Sequence, residues 1–517
     1  MIRATRNLSR LFVIGRTLAR HDALFVLDGH AIGRTVAALA RLTSKPNPEI
    51  SSQRPGERLA LALTALGPTF IKLGQALSTR PDLLGQAVTD DLTNLQDQLP
   101  PFAFSEAKAI IDADFDHETD VLFTSIEPTP VAAASIAQVH FAVTEDGGEV
   151  AVKILRPGIR EAFARNVDLL YWLAETVERT QPKLRRLRPI ETVRTFEESV
   201  RIEMDLRFEA AAAEELRENF ADEPRFKVPT VDWLRTSEHV LTLERVSGAR
   251  IDKPDTVKAL GLDPVDVVRT SAEVFFRMVF HHGFFHADMH PGNLFVAQEM
   301  GGVGTIIAMD FGIMGRIDAR TRRHLGEMLL GFLTRDYKRV AEVHMEAGFV
   351  PSEKDVGAFA QACRSIAEPI LGKPLNEISL ARLLGQLFQI TETFEMQTQP
   401  QLLLLQKSML LAEGVGRLMA PNVNMWELAR PLIEDWMVKE LGPEGRIRDA
   451  VSDASATLEK LPRLIDSIDA AAEQIRSHGL RLDPQTAALI RGGPPSRSNQ
   501  LWPWAIAAGA LLLWVVA

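Results

Sequence analysis

Cysteine is all but missing from this chain: its 517 residues include one, Cys363. With a single thiol no intramolecular disulfide can form and no thiolate zinc site can be built. Cys363 lies in an apolar-periodic stretch, which points to packing rather than reactivity. A broad cationic surface is lacking too, since the formal net charge is −10. That argues against a nucleic-acid binder and leaves room only for local basic patches that meet phosphates. Nothing repeats at a fixed period. Arg3, Arg6, Arg10, Arg16 and Arg20 precede the first acidic residue, Asp22. That region lacks the continuous apolar run and small-residue cleavage site of a secretory signal. A basic helix on an anionic membrane and a solvated helical face are both open readings of it.

What is present is an ordinary globular composition, 46% hydrophobic and 24% charged. The length suits several domains, or one two-lobed core with helical additions. Residues 501–517, LWPWAIAAGALLLWVVA, carry no charge. As a helix they would span roughly 25 Å, at the short limit of a bilayer crossing. Trp502, Trp504 and Trp514 lie near the ends of this segment, and Arg491 and Arg497 precede it. The expectation is a single-pass anchor that leaves the catalytic body cytoplasmic.

Periodicity predicts helices over 1–60 and 59–99, the latter interrupted near Gly67-Pro68 and Arg80-Pro81. Residues 139–143 and 150–155, joined by Glu145-Asp146-Gly147-Gly148, read as a β-hairpin. One long helical pattern covers 191–220, and a short strand follows at 240–246. The apolar pieces 294–296 and 305–309 are placed to pair across Gly301-Gly302, and 420–490 read as further helices.

Phosphoryl transfer needs a cover for the phosphates, a cation on them, metal ligands and a carboxylate to orient the acceptor. Candidates for each occur in kinase order. In Val150-Ala151-Val152-Lys153 a strand sends Lys153 to the face opposite the valines, over a small-residue floor. Its partner is expected to be a glutamate on the following helix, with Glu197 and Glu203 as candidates. His286-Ala287-Asp288-Met289-His290-Pro291-Gly292-Asn293 sets an Asp and an Asn five apart, the H-R-D-x-x-x-x-N spacing. Asp288 would orient or deprotonate an acceptor and Asn293 would bind a metal. Asp310-Phe311-Gly312 follows an apolar strand, as a metal-binding D-F-G should. Zinc is the rival reading of His281, His282, His286 and His290. Pro291-Gly292 breaks a helix there and no glutamate holds the metalloprotease position, so His286 and His290 are expected to brace the loop. A glycine-rich loop is absent before Lys153. Ala132-Ala133-Ala134-Ser135 stands in its place, and its Cβ atoms limit how near the backbone can come to phosphates.

Together these residues resemble the UbiB family of atypical kinases, which includes the mitochondrial coenzyme Q proteins. Lys72-Leu73-Gly74-Gln75 is similar to the family's KxGQ motif, Glu203-Met204-Asp205 to its ExD motif, and the alanine-rich loop to its replacement for the glycine-rich loop. HADMHPGN and DFG complete the set. The resemblance runs from about Leu59 to Asp310 and more weakly beyond. It implies an α+β, helix-rich, protein-kinase-like two-lobed fold with an N-terminal helical extension, to which the C-terminal transmembrane helix is added. The KxGQ helix would cover the site where a protein substrate docks, with Lys72 and Gln75 on one face and Lys72 paired to Glu203. Glu197 would hold the lysine-pairing place and Asp205 would complete the regulatory set.

The domains are then expected as 1–100 (extension), 101–246 (N-lobe), 247–420 (C-lobe), 421–499 (helices and linker) and 501–517 (anchor). The implied ligands are ATP or ADP and Mg2+. The implied role is an ATPase or small-molecule kinase in ubiquinone biosynthesis at the bacterial inner membrane. Its partners would be membrane lipids, hydrophobic quinone precursors and other ubiquinone biosynthetic proteins. A hydroxylase reading finds no flavin fingerprint or iron-ligand set. A non-catalytic nucleotide- or lipid-binding scaffold and an aminoglycoside- or choline-type phosphotransferase are the competing functions. The intact catalytic set disfavours the first, and the KxGQ motif, the alanine-rich loop and the tail disfavour the second.

Overall fold

The computed structural model describes residues 2–27, 44–78, 84–92, 99–180, 188–298, 304–371, 400–423 and 425–441, with single positions or short pieces at 38–42, 95 and 386–396. The chain divides into two units, Met1–Val438 and Lys439–Ala517, and the architecture below is that of the first. Among the described residues no helix is long and apolar enough to cross a membrane. The segment 501–517 and the helices expected over 442–490 lie outside the described residues.

The first sheet is antiparallel and contains β1 (Phe123–Ile126), β2 (Ala132–Ala133), β3 (Ala137–Thr144), β4 (Glu149–Leu155) and β6 (Val240–Glu244). Its order is β1-β3-β4-β6, with β2 also on β3. The hairpin expected from alternation is β3–β4, paired from Ala137↔Leu155 to Val143↔Glu149. Its turn uses Gly147 at φ +84°, where a side chain would be strained. One face of β4 places Val150, Val152 and Ile154 against Ala107 and Ile111 of the Phe104–Phe115 helix. The period of two then sends Lys153 to the other face.

A second sheet runs β5-β10-β9-β7, from Phe226–Lys227, Gly304–Ala308, Leu294–Gln298 and Ala249–Arg250. Its β9–β10 pair is the one expected from the two apolar pieces, from Gly304↔Gln298 to Ala308↔Leu294. A third pairs β8 (Phe284–His286) with β11 (Met314–Arg316).

The 191–220 pattern is two helices rather than one, Pro189–Glu203 and Leu206–Asn219. Asp205 takes extended backbone and caps the second helix by accepting from the Arg207 N–H, while the Leu206 N–H leaves to the Glu238 carbonyl. This break re-phases everything after it.

The N-terminal helix, Ile2–Arg20, lies against the chain itself: Arg6 pairs with Asp168 at 2.9 Å and Arg10 donates to the Arg165 carbonyl. Cys363 is buried among Tyr337, Val340 and Phe359, and burial pushes its thiol up to about 12. That is a packing cysteine, as the sequence indicated.

Candidate active site

Two pieces of loop lie side by side because of how the sheets close. The β9–β10 pair ends at Leu294 and Ala308, and β8–β11 begins at His286 and Met314. Residues 287–293 and 309–313 are therefore held between two paired ladders. Contacts finish the clasp. The Met309 N–H donates to the Asn293 carbonyl at 2.8 Å, and the Ala287 N–H donates to the Ile313 carbonyl at 3.0 Å. His286 Nε2 bonds the Met309 carbonyl at 3.1 Å while its Nδ1 accepts from the Asp288 N–H. His290 Nδ1 accepts from the Gly292 N–H. Both histidines brace the loop.

Asp310 occupies this clasp at φ +60°, a left-handed conformation that costs a non-glycine residue roughly 1–2 kcal/mol. The Gly312 N–H on its Oδ1 offsets part of that. Across the cleft, Lys153 Nζ bonds both oxygens of Glu209 at 2.8 and 2.9 Å and reaches Asp310 Oδ1 at 3.4 Å. Burial disfavours the charge on Lys153, but the Asp310 and Glu209 carboxylates outweigh it and hold the ammonium well above the ordinary lysine range. The Lys153 charge, acting against burial and aided by Lys72, draws Asp310 down to about 2. Asp310 is therefore a full carboxylate at neutral pH.

The partner of Lys153 is a correction to the sequence reading. Glu197 faces away and accepts from the Tyr171 hydroxyl at 2.7 Å. Glu203 is taken by Lys72, whose Nζ lies 2.8 Å from its Oε2, as the resemblance implied. Glu209 does the work expected of Glu197, because the new helix begun at Asp205 turns it inward. A signal for it exists in the sequence. Leu206, Glu209, Ala213 and Leu216 are spaced as one helical face, and all four are buried. A carboxylate on an apolar stripe needs a cation.

Asp205 is a helix cap, paired with Arg207. Gln75 is half-buried on the Pro68–Leu77 helix, one turn from Lys72. Gly74 lets that helix sit close: a Cβ there would come within 2.7 Å of Leu63 and Leu95 side-chain carbons. The alanine-rich segment forms β2 and a tight turn into β3, with Ala134 N–H on the Ala137 carbonyl. The Arg156 guanidinium donates twice to the Ala134 carbonyl, and Ser135 is buried beneath the turn.

The carboxylate of Asp288 is held at both ends. Asn293 Nδ2 donates to its Oδ2 at 3.2 Å and to its carbonyl at 3.0 Å. Lys407, on the Pro400–Met419 helix, reaches its Oδ1 at 2.9 Å. Sequence reasoning missed Lys407, although it is a lone cation inside Leu402-Leu403-Leu404-Leu405-Gln406-Lys407-Ser408-Met409-Leu410-Leu411.

The donors fit a hard divalent cation. Asn293 spends its amide N–H groups on Asp288, which leaves its Oδ1 as a ligand, and Asp310 adds an ionised carboxylate. Magnesium takes one or two such groups and fills the rest with phosphate oxygens and water.

Comparison with known proteins identifies the family. Residues 94–344 match the ABC1 atypical kinase-like domain and residues 363–424 the UbiB helical domain. The chain is 41% identical over 434 residues to a probable protein kinase UbiB of Marinobacter nauticus, covering 84% of this chain and 79% of that one. Against the probable protein kinase UbiB of Pseudomonas putida it is 38% identical over 506 residues, 97% and 93% of the two chains. A solved Mycobacterium tuberculosis structure, Rv3197 with erythromycin, overlays with a TM-score of 0.49 at 24% identity, over 72% of this chain and 92% of that one. That overlay is too loose to add to the case. Identity at these levels over nearly whole chains settles the classification: the protein belongs to the UbiB family, and its central domain is an atypical kinase-like domain.

Proposed function

We propose that the protein is a Mg2+-dependent ATPase or kinase that supports ubiquinone biosynthesis by acting on polyprenylphenol precursors at the bacterial inner membrane. One observation carries the enzymatic part. Lys153 and Asp310, 157 residues apart, meet at 3.4 Å beside a loop that holds Asp288 and Asn293. Lys153 would meet nucleotide phosphates, and Asp288 would orient the acceptor and take its proton. Asn293 and Asp310 would hold magnesium, which supplies neutralisation of phosphate charge when bound. Ala132, Ala133, Ala134 and Ser135 would lie over the nucleotide. The helix held by the Lys72–Glu203 pair would cover the place where a protein substrate docks, which would favour a small or lipid acceptor. The segment 501–517 would tether the cytoplasmic body to the membrane.

The test is phosphate release from Mg2+-ATP by detergent-purified protein, with and without lipid vesicles and phenolic quinone precursors. A low basal rate that rises with either addition is the expected result. No release under any condition would remove the enzymatic reading, and a rate indifferent to both additions would remove the precursor assignment.

The covering turn gives a second expected result. Ala133→Gly removes a Cβ from β2 and should change the affinity for Mg2+-ADP or Mg2+-ATP by about tenfold, since a phosphate-covering backbone gains room to approach. Unchanged affinities for both nucleotides would place the turn elsewhere.

A further inference from the structure

The catalytic loop His286 to Asn293 contains no lysine or arginine, so any cation on the acceptor side of Asp288 has to come from elsewhere in the chain. The Pro400–Met419 helix brings one. Ser408 is fully buried, donates to the Leu404 carbonyl at 3.0 Å and sits 3.4 Å from the His286 carbonyl, which seats the helix on the strand leading into Asp288. One residue earlier, Lys407 reaches Asp288 Oδ1 at 2.9 Å, and both side chains remain about a third exposed. Asp288 is a partner of Lys407, and an ammonium carries three N–H donors, enough to meet a ligand as well.

The charge balance gives this contact a purpose. Lys153 already serves Glu209 and Asp310 on the nucleotide side. Asp288 has no share in that cation, yet it must stand beside an anionic phosphoryl group. An ammonium between the two offsets their repulsion, and in a cleft such charges act more strongly than in water.

We propose that Lys407 is a working residue of phosphoryl transfer, fixing the Asp288 carboxylate toward the acceptor and presenting its ammonium to the phosphoryl group in transit. The inference rests on the ATPase or kinase reading above. As the acceptor oxygen bonds to the terminal phosphorus, the bond from that phosphorus to the bridging oxygen breaks and its electrons leave with ADP. The acceptor's proton passes to Asp288, and Lys407 keeps its own. The helical segment beyond the kinase-like domain thus completes the site.

The experiment compares wild type, Lys407→Met and Lys407→Arg in the full-length protein, reading kcat and KM for Mg2+-ATP, Mg2+-ADP affinity and thermal melting. Lys407→Met should lower kcat about ten- to a hundredfold while ADP affinity and melting stay close to wild type, and Lys407→Arg should recover part of the loss. A Lys407→Met kcat within about twofold of wild type would overturn the role. So would a loss that tracks weakened ADP binding and melting and that arginine does not rescue, because Lys407 would then be a packing support. Wild-type turnover that disappears in Asp310→Asn separates the two claims: with that control in place, a fully active Lys407→Met variant removes Lys407 alone.

Discussion

Asp310→Asn should reduce phosphate release from Mg2+-ATP by about a hundred- to thousandfold while leaving the protein folded. The substitution keeps the shape and, through Oδ1, the acceptor for the Gly312 N–H, while it removes the charge and turns the second oxygen into an N–H donor. Lys153 retains both bonds to Glu209, so the buried ammonium is not stranded. What disappears is the ionised ligand on which magnesium and the phosphate charge depend, a loss of the size seen when a preorganised electrostatic group is removed. Turnover equal to wild type would mean that Asp310 holds no metal.

The same residue fixes a sign for pH dependence. Its folded value, about 2, lies below the ordinary 3.8. The depressed value contributes stability that is complete above 3.8 and lost as pH falls through 2. Asp310 therefore stays ionised across the neutral and mildly acidic range. Any fall of activity between pH 5 and 7 has to come from another group, and Asp310→Asn should leave the shape of that limb in the residual rate unchanged.

Most of the site was legible because its signals are local. Val150-Ala151-Val152-Lys153 alternates with the period of a strand, so the side Lys153 takes follows from its neighbours. The loop from His286 to Asn293 is short enough that spacing alone brings Asn293 to Asp288. The β9–β10 pairing followed from two apolar runs and a turn. The Lys72–Glu203 contact came through the resemblance to a family and not from periodicity, since nothing local relates residues that far apart. Helix phase was harder to read. An Ala-, Glu- and Arg-rich run looks continuous at 191–220, and Asp205 breaks it with one capping side chain. Every position after the break points somewhere new, and Glu209 is one of them, whereas Glu197, given the lysine-pairing place through the resemblance, lies on the helix before it. Lys407 sits 119 residues from its partner, on a helix whose apolar character advertised only packing. Contacts of that range depend on how helices dock, and a single sequence carries no direct record of it. The proposed anchor at 501–517 and the linker before it fall outside the described residues.

Two glutamates with similar surroundings in the sequence should behave oppositely when neutralised. Glu209→Gln removes the charge that holds Lys153 in the cleft. The ammonium is then left to Asp310, 3.4 Å away, and should be drawn across the site, off the position where it would meet phosphate. The expected result is a fall in kcat/KM of about tenfold or more. Truncation is harsher. Glu209 is 7% exposed and Lys153 16%, and removing one partner of such a pair costs about 3–5 kcal/mol. Glu209→Ala should come toward the lower end of that range because Asp310 remains as a second counter-charge. Glu197→Gln leaves the site intact. It weakens one hydrogen bond from the Tyr171 hydroxyl, worth about 1 kcal/mol, and activity should stay within about twofold of wild type. Thermal melting and steady-state kinetics on the three variants decide the matter. If Glu197→Gln proved the damaging change and Glu209→Gln were silent, Lys153 would be held by Glu197, as the resemblance implied.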